Sequence, residues 1–439
     1  MKNRAEHRRR RKNLMQQIGC EGIAIIATAP TRQRNRDIDH TYRADSDFVY
    51  LTGFEEPEAV AVLIPERKQG EFIIFCRERD ARMETWDGYR AGLEGARTIY
   101  GADDAFPITD IDEILPGLME GREKVYYAMG CNTNFDQQVF GWLNRLKKQQ
   151  RVGVHAPGEI IALDHLLHEM RLYKSNAEIQ SMRKAAEISV EAHKRAMQYT
   201  RPGIKEYQVE AEIIHTFMQS GARSAAYPSI VGGGGNGCIL HYIENSETLK
   251  KGELLLIDAG AEYDYYAADI TRTFPVSGHF NRSQRKIYQL VLDAQYAAIE
   301  QVKPGNHWNH PHEAAVKVIT EGLVKLGLLK GRVSTLIKNG AYKKFYMHRT
   351  GHWLGMDVHD VGEYKEGDVW RTLEPGMVLT IEPGLYIPAE SKKVEKRWWN
   401  IGIRIEDDVL VTKDGCEVLS AGIAKEADEI EALMAETRS

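Results

Sequence analysis

Two patterns of apolar positions alternate over roughly the first 165 residues of the chain. Short continuous apolar runs predict four strands, at 23–27, 59–64, 72–76 and 125–127. Apolar residues that recur with helical spacing predict helices at 110–119, 135–148 and 160–172. Strands that alternate with helices are typical of a compact α/β domain, so we predict one here and leave its strand order open.

A long predicted helix opens the second half of the sequence. Its apolar positions begin at Ile179 and follow helical spacing, and either Ser175 or Asn176 is a suitable N-cap just before them. We therefore place a domain boundary near residue 170. The N-terminal domain is predicted over residues 1–170 and the C-terminal domain over residues 171–439.

The C-terminal domain contains a weak internal repeat. Residues 251–260 align with residues 375–384, because each segment has a glycine turn, a buried strand of four residues, a carboxylate and a second glycine. Upstream of each segment, a Pro-Gly pair at 202–203 or 304–305 ends one helix and another helix follows. The order helix–helix–strand–strand therefore occurs twice. This predicts a pseudo-twofold unit whose two carboxylate strands meet in the middle.

The composition is that of an ordinary globular protein. Hydrophobic residues make up 43% of the 439 residues and charged residues 28%. The longest uninterrupted apolar stretch, 59–64, is far shorter than the ~20 residues that span a bilayer. The net charge of −5 provides no overall basic field for nucleic acid. We therefore expect a cytoplasmic protein with no membrane partner and no nucleic-acid partner.

Basic residues cluster near the N-terminus, at Lys2, Arg4, Arg8–Arg11 and Lys12. A targeting or nucleic-acid-binding arm would account for them, but the apolar core that a secretory signal requires does not follow. The next residues have the pattern of a short amphipathic helix ended by Gly19. We therefore favour a solvent-exposed first helix.

The five cysteines are widely scattered and contain no CxxC spacing; they are Cys20, Cys76, Cys131, Cys238 and Cys416. This pattern argues against a disulfide framework and against a thiolate metal site. We expect the thiols to be reduced and mostly buried.

Acidic residues stand in the strands of the first repeat copy. Asp258 ends the apolar run 254–257, so its side chain is predicted to be buried. Asp269 lies in 265–274, a stretch rich in tyrosine and threonine that we predict to be the partner strand of a hairpin. Because alternate residues of a strand share a face, the two carboxylates are expected to lie opposite each other.

The second repeat copy places Glu382 and Glu406 in a similar context. Burying an unpaired carboxylate costs several kcal/mol, so four converging carboxylates require cations. Two divalent metal ions would balance the four negative charges. A bridging hydroxide would add one more, which Arg404, in the same strand as Glu406, can offset.

Histidines supply candidate nitrogen ligands and proton donors. His348, His352 and His359 fall within twelve residues, among glycines. His241 follows a glycine-rich stretch and is a fourth candidate. Three histidines so close together favour a functional site over isolated structural histidines.

Five residues in this order and context resemble the ligands of the dinuclear-metal aminopeptidase and prolidase superfamily with the pita-bread fold: Asp258, Asp269, His352, Glu382 and Glu406. The closer resemblance is to the bacterial aminopeptidase P family. The segments that carry it are 42–54, 235–242, 351–362 and 382–386, and Trp353 together with the first segment separates it from ordinary prolidases. The resemblance covers nearly the whole chain.

This resemblance implies an N-terminal mixed α/β domain followed by a C-terminal pita-bread α+β domain with a pseudo-twofold repeat. The N-terminal domain would serve substrate access and oligomerisation, in a homodimer or homotetramer. The implied activity is hydrolytic removal of an N-terminal residue that precedes proline, by a metal-bridging hydroxide. Two divalent ions are implied, with manganese as the family expectation; cobalt, zinc and iron stay open.

The resemblance also assigns roles to single residues. Asp269 and Glu406 would bridge the metals, with Asp258 on one ion and His352 and Glu382 on the other. Glu382 would be the general base, and the other implied catalytic residues are His348, His241 and His359. The implied substrate-binding residues are Tyr386, Trp86, Arg404 and Asp37, of which Arg404 also supports Glu406.

Two alternative functions stay open. A prolidase would cut only Xaa-Pro dipeptides with the same five ligands. A non-enzymatic pita-bread binding protein belongs to another class, and such proteins normally lose several ligands, whereas all five are present here.

Overall fold

The structure is a computed structural model that describes residues 4–436. The chain forms two compact units, with the boundary between Met170 and Arg171. Residues 1–3 and 437–439, at the outer ends of the two predicted domains, lie outside the described residues. Each unit is described by itself below.

The N-terminal unit is built from short strands and helices in alternation. Its helices are α1 (Arg4–Ile18), α2 (Ser46–Thr52), α3 (Ala81–Asp87), α4 (Gly92–Thr98), α5 (Ile111–Met119), α6 (Thr133–Lys148) and α7 (Asp164–Leu172), which runs across the boundary. Its strands are β1 (Gly22–Ala27), β2 (Gln33–Asn35), β3 (Ile38–Asp39), β4 (Val60–Leu63), β5 (Phe72–Cys76), β6 (Asp104–Pro107), β7 (Lys124–Tyr127) and β8 (Glu159–Ala162).

Six of these strands form one mixed sheet in the order β6-β5-β4-β1-β7-β8. Strand β4 is antiparallel to both of its neighbours, β1 and β5, and the other five strands of this sheet run in one direction. The apolar runs supply its core, with Ile23, Val62 and Phe75 fully buried. The four predicted strands and the helices at 110–119 and 135–148 are confirmed. The prediction at 160–172 is wrong in its first part, because 160–162 belongs to β8, the edge strand beside β7.

The prediction that the basic residues of the first helix are exposed to solvent is wrong for two of them. Arg10 and Arg11 are buried, and their guanidinium groups donate hydrogen bonds to the carbonyl oxygens of Tyr50 (3.0 Å) and Leu51 (2.7 Å) in the last turn of α2. Cations at a helix C-terminus satisfy carbonyl groups that have no partner within the helix. These two arginines are therefore structural rather than part of a solvated face. Gly19, with a positive φ of 69°, ends α1 as predicted.

The C-terminal unit contains the larger core. Its helices are α8 (Asn176–Tyr199), α9 (Glu206–Gln219), α10 (Arg282–Ile299), α11 (Asn309–Lys325), α12 (Val333–Lys338) and α13 (Ala427–Ala435). Its strands are β9 (Ser224–Ala225), β10 (Ile230–Gly233), β11 (Leu254–Asp258), β12 (Ala261–Tyr263), β13 (Tyr266–Ala267), β14 (Thr271–Pro275), β15 (Lys365–Glu366), β16 (Val369–Trp370), β17 (Val378–Ile381), β18 (Gly384–Ile387), β19 (Ile401–Arg404), β20 (Asp407–Val411) and β21 (Cys416–Val418).

The predicted repeat is visible in this order of elements. Helices α8 and α9 precede the antiparallel pair β11–β14, and α10 and α11 precede the antiparallel pair β17–β20. Helix α8 begins with a capping box, in which the Ser175 hydroxyl accepts from the Glu178 amide and the Glu178 carboxylate accepts from the Ser175 amide. Ser175, rather than Asn176, is therefore the N-cap.

The stretch 265–274 is not the single strand that its pattern predicts. It contains β13 and the start of β14, with a break over 268–270 that holds Asp269. The break lies against Gly260, where a Cβ atom would be 1.7 Å from the Ala268 carbonyl oxygen. In β14 the residue opposite Asp258 is Thr271, so Asp269 lies beyond the ladder rather than directly opposite Asp258.

All five cysteines are free thiols, but their predicted burial is wrong for most of them. Cys76 is buried, whereas Cys20 and Cys131 are exposed and the other two are intermediate. Within residues 4–436, no helix combines the length and the apolar character needed to cross a membrane.

Candidate active site

Four acidic side chains and one histidine meet in a pocket of the C-terminal unit. Asp258 ends β11, Asp269 lies in the break before β14, Glu382 follows β17, and Glu406 lies between β19 and β20. The pocket encloses about 500 Å³. Besides these acids and His352, its lining consists of Leu240, His241, Trp308, His348, Arg349, Gly351, His359, Tyr364, Trp370 and Arg404.

The carboxylates of Asp258 and Asp269 both lie within hydrogen-bonding distance of one hydroxyl group. The Tyr227 hydroxyl oxygen is 2.6 Å from Asp258 Oδ1 and 2.5 Å from Asp269 Oδ1. A hydroxyl has a single proton and can donate to one of these oxygens at a time. The two buried carboxylates therefore have more acceptor capacity than the surrounding donors satisfy.

His352 presents one ring nitrogen to the acids. Its Nδ1 is 2.9 Å from the Trp353 carbonyl oxygen, so Nδ1 carries the proton and Nε2 is left facing the carboxylates. Nε2 is 3.3 Å from Asp269 Oδ2 and 3.9 Å from Glu382 Oε1. The loop reaches this position because Gly351 packs against β17, where a Cβ atom would be 1.9 Å from the Thr380 carbonyl oxygen.

Without added cations, the site disfavours four charged carboxylates. Burial raises the pKa of Glu406 well above its usual value, and the neighbouring Asp269 and Glu382 add to the effect. Burial likewise raises the pKa of Glu382 to about 7. Burial disfavours the imidazolium of His352, but the adjacent Asp269 and Glu382 raise its pKa to about 9. One buried arginine cannot compensate four acids at this density.

The donor set fits divalent metal ions. Asp269, His352 and Glu406 each offer one ligand atom, and these atoms lie within 4.8 Å of one another. Carboxylate oxygens with one imidazole nitrogen suit hard or borderline cations. Asp258 and Glu382 line the same pocket and supply further oxygens.

Arg404 links the acids to a tyrosine. Its guanidinium donates to Asp258 Oδ2 (2.5 Å), to the Tyr386 hydroxyl (2.9 Å) and to the Thr271 hydroxyl (3.1 Å). The Thr271 hydroxyl in turn donates to Glu406 Oε2 at 2.6 Å. The charged partner of Arg404 is therefore Asp258, and its predicted support of Glu406 acts through Thr271.

The other three predicted histidines line the same pocket. Nε2 of His348 is 2.9 Å from the Tyr386 hydroxyl, and its Nδ1 is 3.5 Å from Glu382 Oε2. The ring of His359 packs edge-on against that of His352, with 4.2 Å between centroids. His241 lines the pocket from the segment that follows β10.

Trp86 and Asp37 belong to the N-terminal unit and are exposed there. Trp86 lies in α3 with 80% of its surface accessible, and Asp37 lies between β2 and β3. All lining residues of the pocket come from the C-terminal unit. The predicted substrate-binding role of Trp86 and Asp37 therefore stays a prediction.

Comparison with known proteins gives the family. Residues 180–413 match the Peptidase_M24 model, metallopeptidase family M24, and residues 7–127 match the aminopeptidase P N-terminal domain. The Xaa-Pro aminopeptidase of Escherichia coli is 46% identical over 437 residues, which cover 99% of this chain and 99% of that protein. The chain belongs to metallopeptidase family M24.

Solved structures agree with this family over the whole chain. The structure of Pseudomonas aeruginosa aminopeptidase PepP is 58% identical, covers 99% of this chain and 98% of its own, and gives a TM-score of 0.98. Zn-substituted E. coli aminopeptidase P in complex with product is 46% identical, covers 100% of this chain and 99% of its own, and gives a TM-score of 0.97. The resemblance to aminopeptidase P and the predicted fold class, an α/β domain followed by a pita-bread domain, are confirmed.

Several residues of this M24 site cannot be found from the local sequence pattern. Tyr227 stands in no recognisable motif, and only the fold brings it to the two aspartates. Arg272 and Asp407 form a fully buried ion pair directly behind Glu406. A signal for Asp407 exists, because it precedes the apolar run 409–411 just as Asp258 ends one.

Replacing Tyr386 by phenylalanine is expected to lower kcat about tenfold while the metal content stays unchanged. The variant loses the hydroxyl that bridges Arg404 and His348 but none of the five candidate ligands. One or two buried hydrogen bonds at about 1 kcal/mol each correspond to a change of this size. Steady-state kinetics and elemental analysis test it, with the exposed Tyr207→Phe as control. An unchanged kcat, or a loss of metal, contradicts the prediction.

Proposed function

We propose that this chain is a metal-dependent aminopeptidase that releases the N-terminal residue from peptides with proline at the second position. The observation that carries the proposal is the pocket in which four acids and His352 converge beside three further histidines. Full-length similarity to a protein named Xaa-Pro aminopeptidase supports the same activity. A binding protein of this fold is expected to have lost several metal ligands. The presence of all five candidate ligands, and the similarity to an enzyme over the full length, therefore favour an enzyme.

The metal would be held by Asp258, Asp269, His352, Glu382 and Glu406. When bound, two divalent ions supply Lewis acidity and lower the pKa of a coordinated water. We propose manganese, because four carboxylates and one imidazole are an oxygen-rich donor set. The family resemblance implies that Asp269 and Glu406, both buried, would hold both ions, together with the other three candidate ligands.

The protein's own groups would move the protons. Glu382 is the candidate general base, because its carboxylate lines the pocket beside His352 and can accept and return a proton. It would take a proton from the attacking water and pass it to the proline nitrogen. His348, whose ring nitrogens contact the Arg349 carbonyl oxygen and the Tyr386 hydroxyl, would lie near the scissile carbonyl together with His241, and His359 would lie near the proline.

The enzyme would select proline by the shape of its ring and by the absence of an N–H group on its nitrogen. The proline nitrogen of an Xaa-Pro bond carries no N–H, and its ring fixes the bend of the chain. Three aromatic side chains line the pocket and offer flat apolar surface to such a ring: Trp308, Tyr364 and Trp370. A pocket of this kind accepts the cyclic residue that ordinary peptidase sites exclude.

We further propose a cytoplasmic homodimer or homotetramer in which the N-terminal unit governs substrate access. The exposed Trp86 and Asp37 are the candidates for contacts with substrate in the site of a neighbouring subunit. Analytical ultracentrifugation and a Trp86→Ala variant test this part. Equal KM values for the variant and the wild type would contradict it.

Peptide cleavage separates the proposed activity from the alternatives. The Mn²⁺-loaded protein is assayed against Ala-Pro-Ala, Ala-Pro and Ala-Ala-Ala, with the released amino acids quantified. The proposal predicts release of alanine from Ala-Pro-Ala and none from Ala-Ala-Ala. Activity confined to Ala-Pro would indicate a prolidase. A purified protein that contains no transition metal and gains no activity with Mn²⁺ would favour a binding protein.

A further inference from the structure

One arginine of the pocket forms no ion pair within residues 4–436. Among the residues that the structure describes, two arginines line the pocket, Arg404 and Arg349. Arg404 is buried and already bound to Asp258, Tyr386 and Thr271. It therefore has little capacity left for a substrate.

Arg349 is exposed at the pocket, so a substrate can reach it. Its guanidinium lies 5.1 Å from the centre of the Trp370 ring and donates one hydrogen bond, at 2.5 Å, to Asn309 Oδ1. No carboxylate of residues 4–436 forms an ion pair with it. A guanidinium has five N–H donors arranged to bind a carboxylate with two parallel hydrogen bonds.

The pocket therefore offers two kinds of charge. The metal-binding acids stand in one hydrogen-bonded cluster, and Arg349 contacts an aromatic ring and an amide outside that cluster. A short peptide has matching charges, with an ammonium at its N-terminus and a carboxylate at its C-terminus. The aromatic ring beside Arg349 is also one of the surfaces assigned above to the proline ring.

We propose that Arg349 is a specificity-determining residue that binds a carboxylate of the substrate on the C-terminal side of the scissile bond. This inference rests on the proposed Xaa-Pro aminopeptidase activity. Two sources can supply the same chemistry: the free C-terminus of a short peptide, or an acidic side chain after the proline. In both cases the gain is in substrate binding, so KM changes and kcat does not.

Four peptides and three proteins test the assignment. Ala-Pro-Ala is compared with its C-terminal amide, and Ala-Pro-Asp-amide with Ala-Pro-Asn-amide. The wild type is compared with Arg349→Gln and with Arg349→Lys, which keeps the charge but not the planar fork. For the wild type we expect about a tenfold higher kcat/KM for the carboxylate-bearing member of at least one pair, through KM.

In Arg349→Gln the ratio of kcat/KM between the carboxylate-bearing peptide and its neutral partner is expected to fall close to one. In Arg349→Lys part of this ratio is expected to remain. The pair that changes identifies the source, either the chain end or the side chain. The matched control is Lys365→Gln, because Lys365 lies 4.6 Å from the same Trp370 ring but does not line the pocket. The control is expected to keep the wild-type ratios.

Equal ratios in the wild type and Arg349→Gln for both pairs would overturn the inference while leaving the proposed activity intact. An equal loss in Lys365→Gln would also overturn it, because the effect would then be general charge attraction. A wild type that cleaves none of the four peptides would overturn the proposed function and this inference together. Thermal melts and metal content, expected to be unchanged, exclude misfolding of the variants.

Discussion

Asp269→Asn is expected to lower kcat on the order of a thousandfold or more, and at the same time to make the metal-free protein more stable. The activity is lost because the variant removes one charged candidate ligand from the group Asp269, His352 and Glu406. The stability rises because burial and the neighbouring Asp258 raise the pKa of Asp269, so its surroundings disfavour the charged side chain. Asparagine keeps the shape and removes the charge, so the metal-free variant is expected to have a larger free energy of unfolding than the wild type.

The two opposite effects make this test specific. Melting temperatures of wild type and variant are measured in excess chelator and again with Mn²⁺, beside metal content and kcat. The wild type is expected to gain stability from Mn²⁺ and the variant much less. The control is Asp414→Asn, the same chemical change on an exposed residue. A variant that keeps full turnover and full metal content would show that the acids do not hold the metal.

Arg272→Met is expected to destabilise the C-terminal unit by about 3–5 kcal/mol, which lowers its melting temperature by roughly 10 °C. Arg272 is completely buried and donates to Asp407 Oδ1 (2.7 Å) and to the carbonyl oxygen of Glu406 (2.6 Å). Its loss leaves the buried Asp407 with Lys425 as its remaining charged partner. Removing one partner of a buried ion pair costs far more than the pair contributes.

The same variant is expected to weaken metal binding about 10–100-fold, because Arg272 fixes the backbone of Glu406. Chelator competition measures this affinity. The double variant Arg272→Met/Asp407→Asn should recover part of the stability, since it also removes the acid. Arg195→Met is the control, because its ion pair with Glu212 is exposed and contributes at most about 1 kcal/mol. Equal losses in Arg195→Met and Arg272→Met would contradict the proposed role.

Several candidate site residues could be named from the sequence because they stand in a local pattern, whereas Trp86, Asp37 and Tyr386 were named only through the family resemblance. Asp258 ends an apolar run, and His348, His352 and His359 cluster among glycines. The burial of Asp258 follows from its local pattern. The pattern around Asp269 was less reliable. Alternation predicts a continuous strand there, whereas close packing against Gly260 breaks it.

The partners of each side chain could not be read from the sequence. Arg404 was expected beside Glu406, two residues away, but its guanidinium reaches Asp258, which is 146 positions distant. Likewise Arg10 and Arg11 were expected in solvent and instead cap a helix 40 residues later. Strand periodicity determines the face on which a side chain lies, and it carries no information on the neighbour that the fold brings to that face.

By itself, the sequence determined four strands and two helices of the N-terminal unit, the repeated carboxylate strands and the residue types that favour a metal site. These features depend on local spacing, burial tendency and turn chemistry. Only the tertiary structure decided that Tyr227 lies between two aspartates, that Arg272 pairs with Asp407 behind Glu406, and that Arg349 lines the pocket without an ion pair in the described residues. Such contacts join distant segments, so they depend on the register and packing of the whole unit.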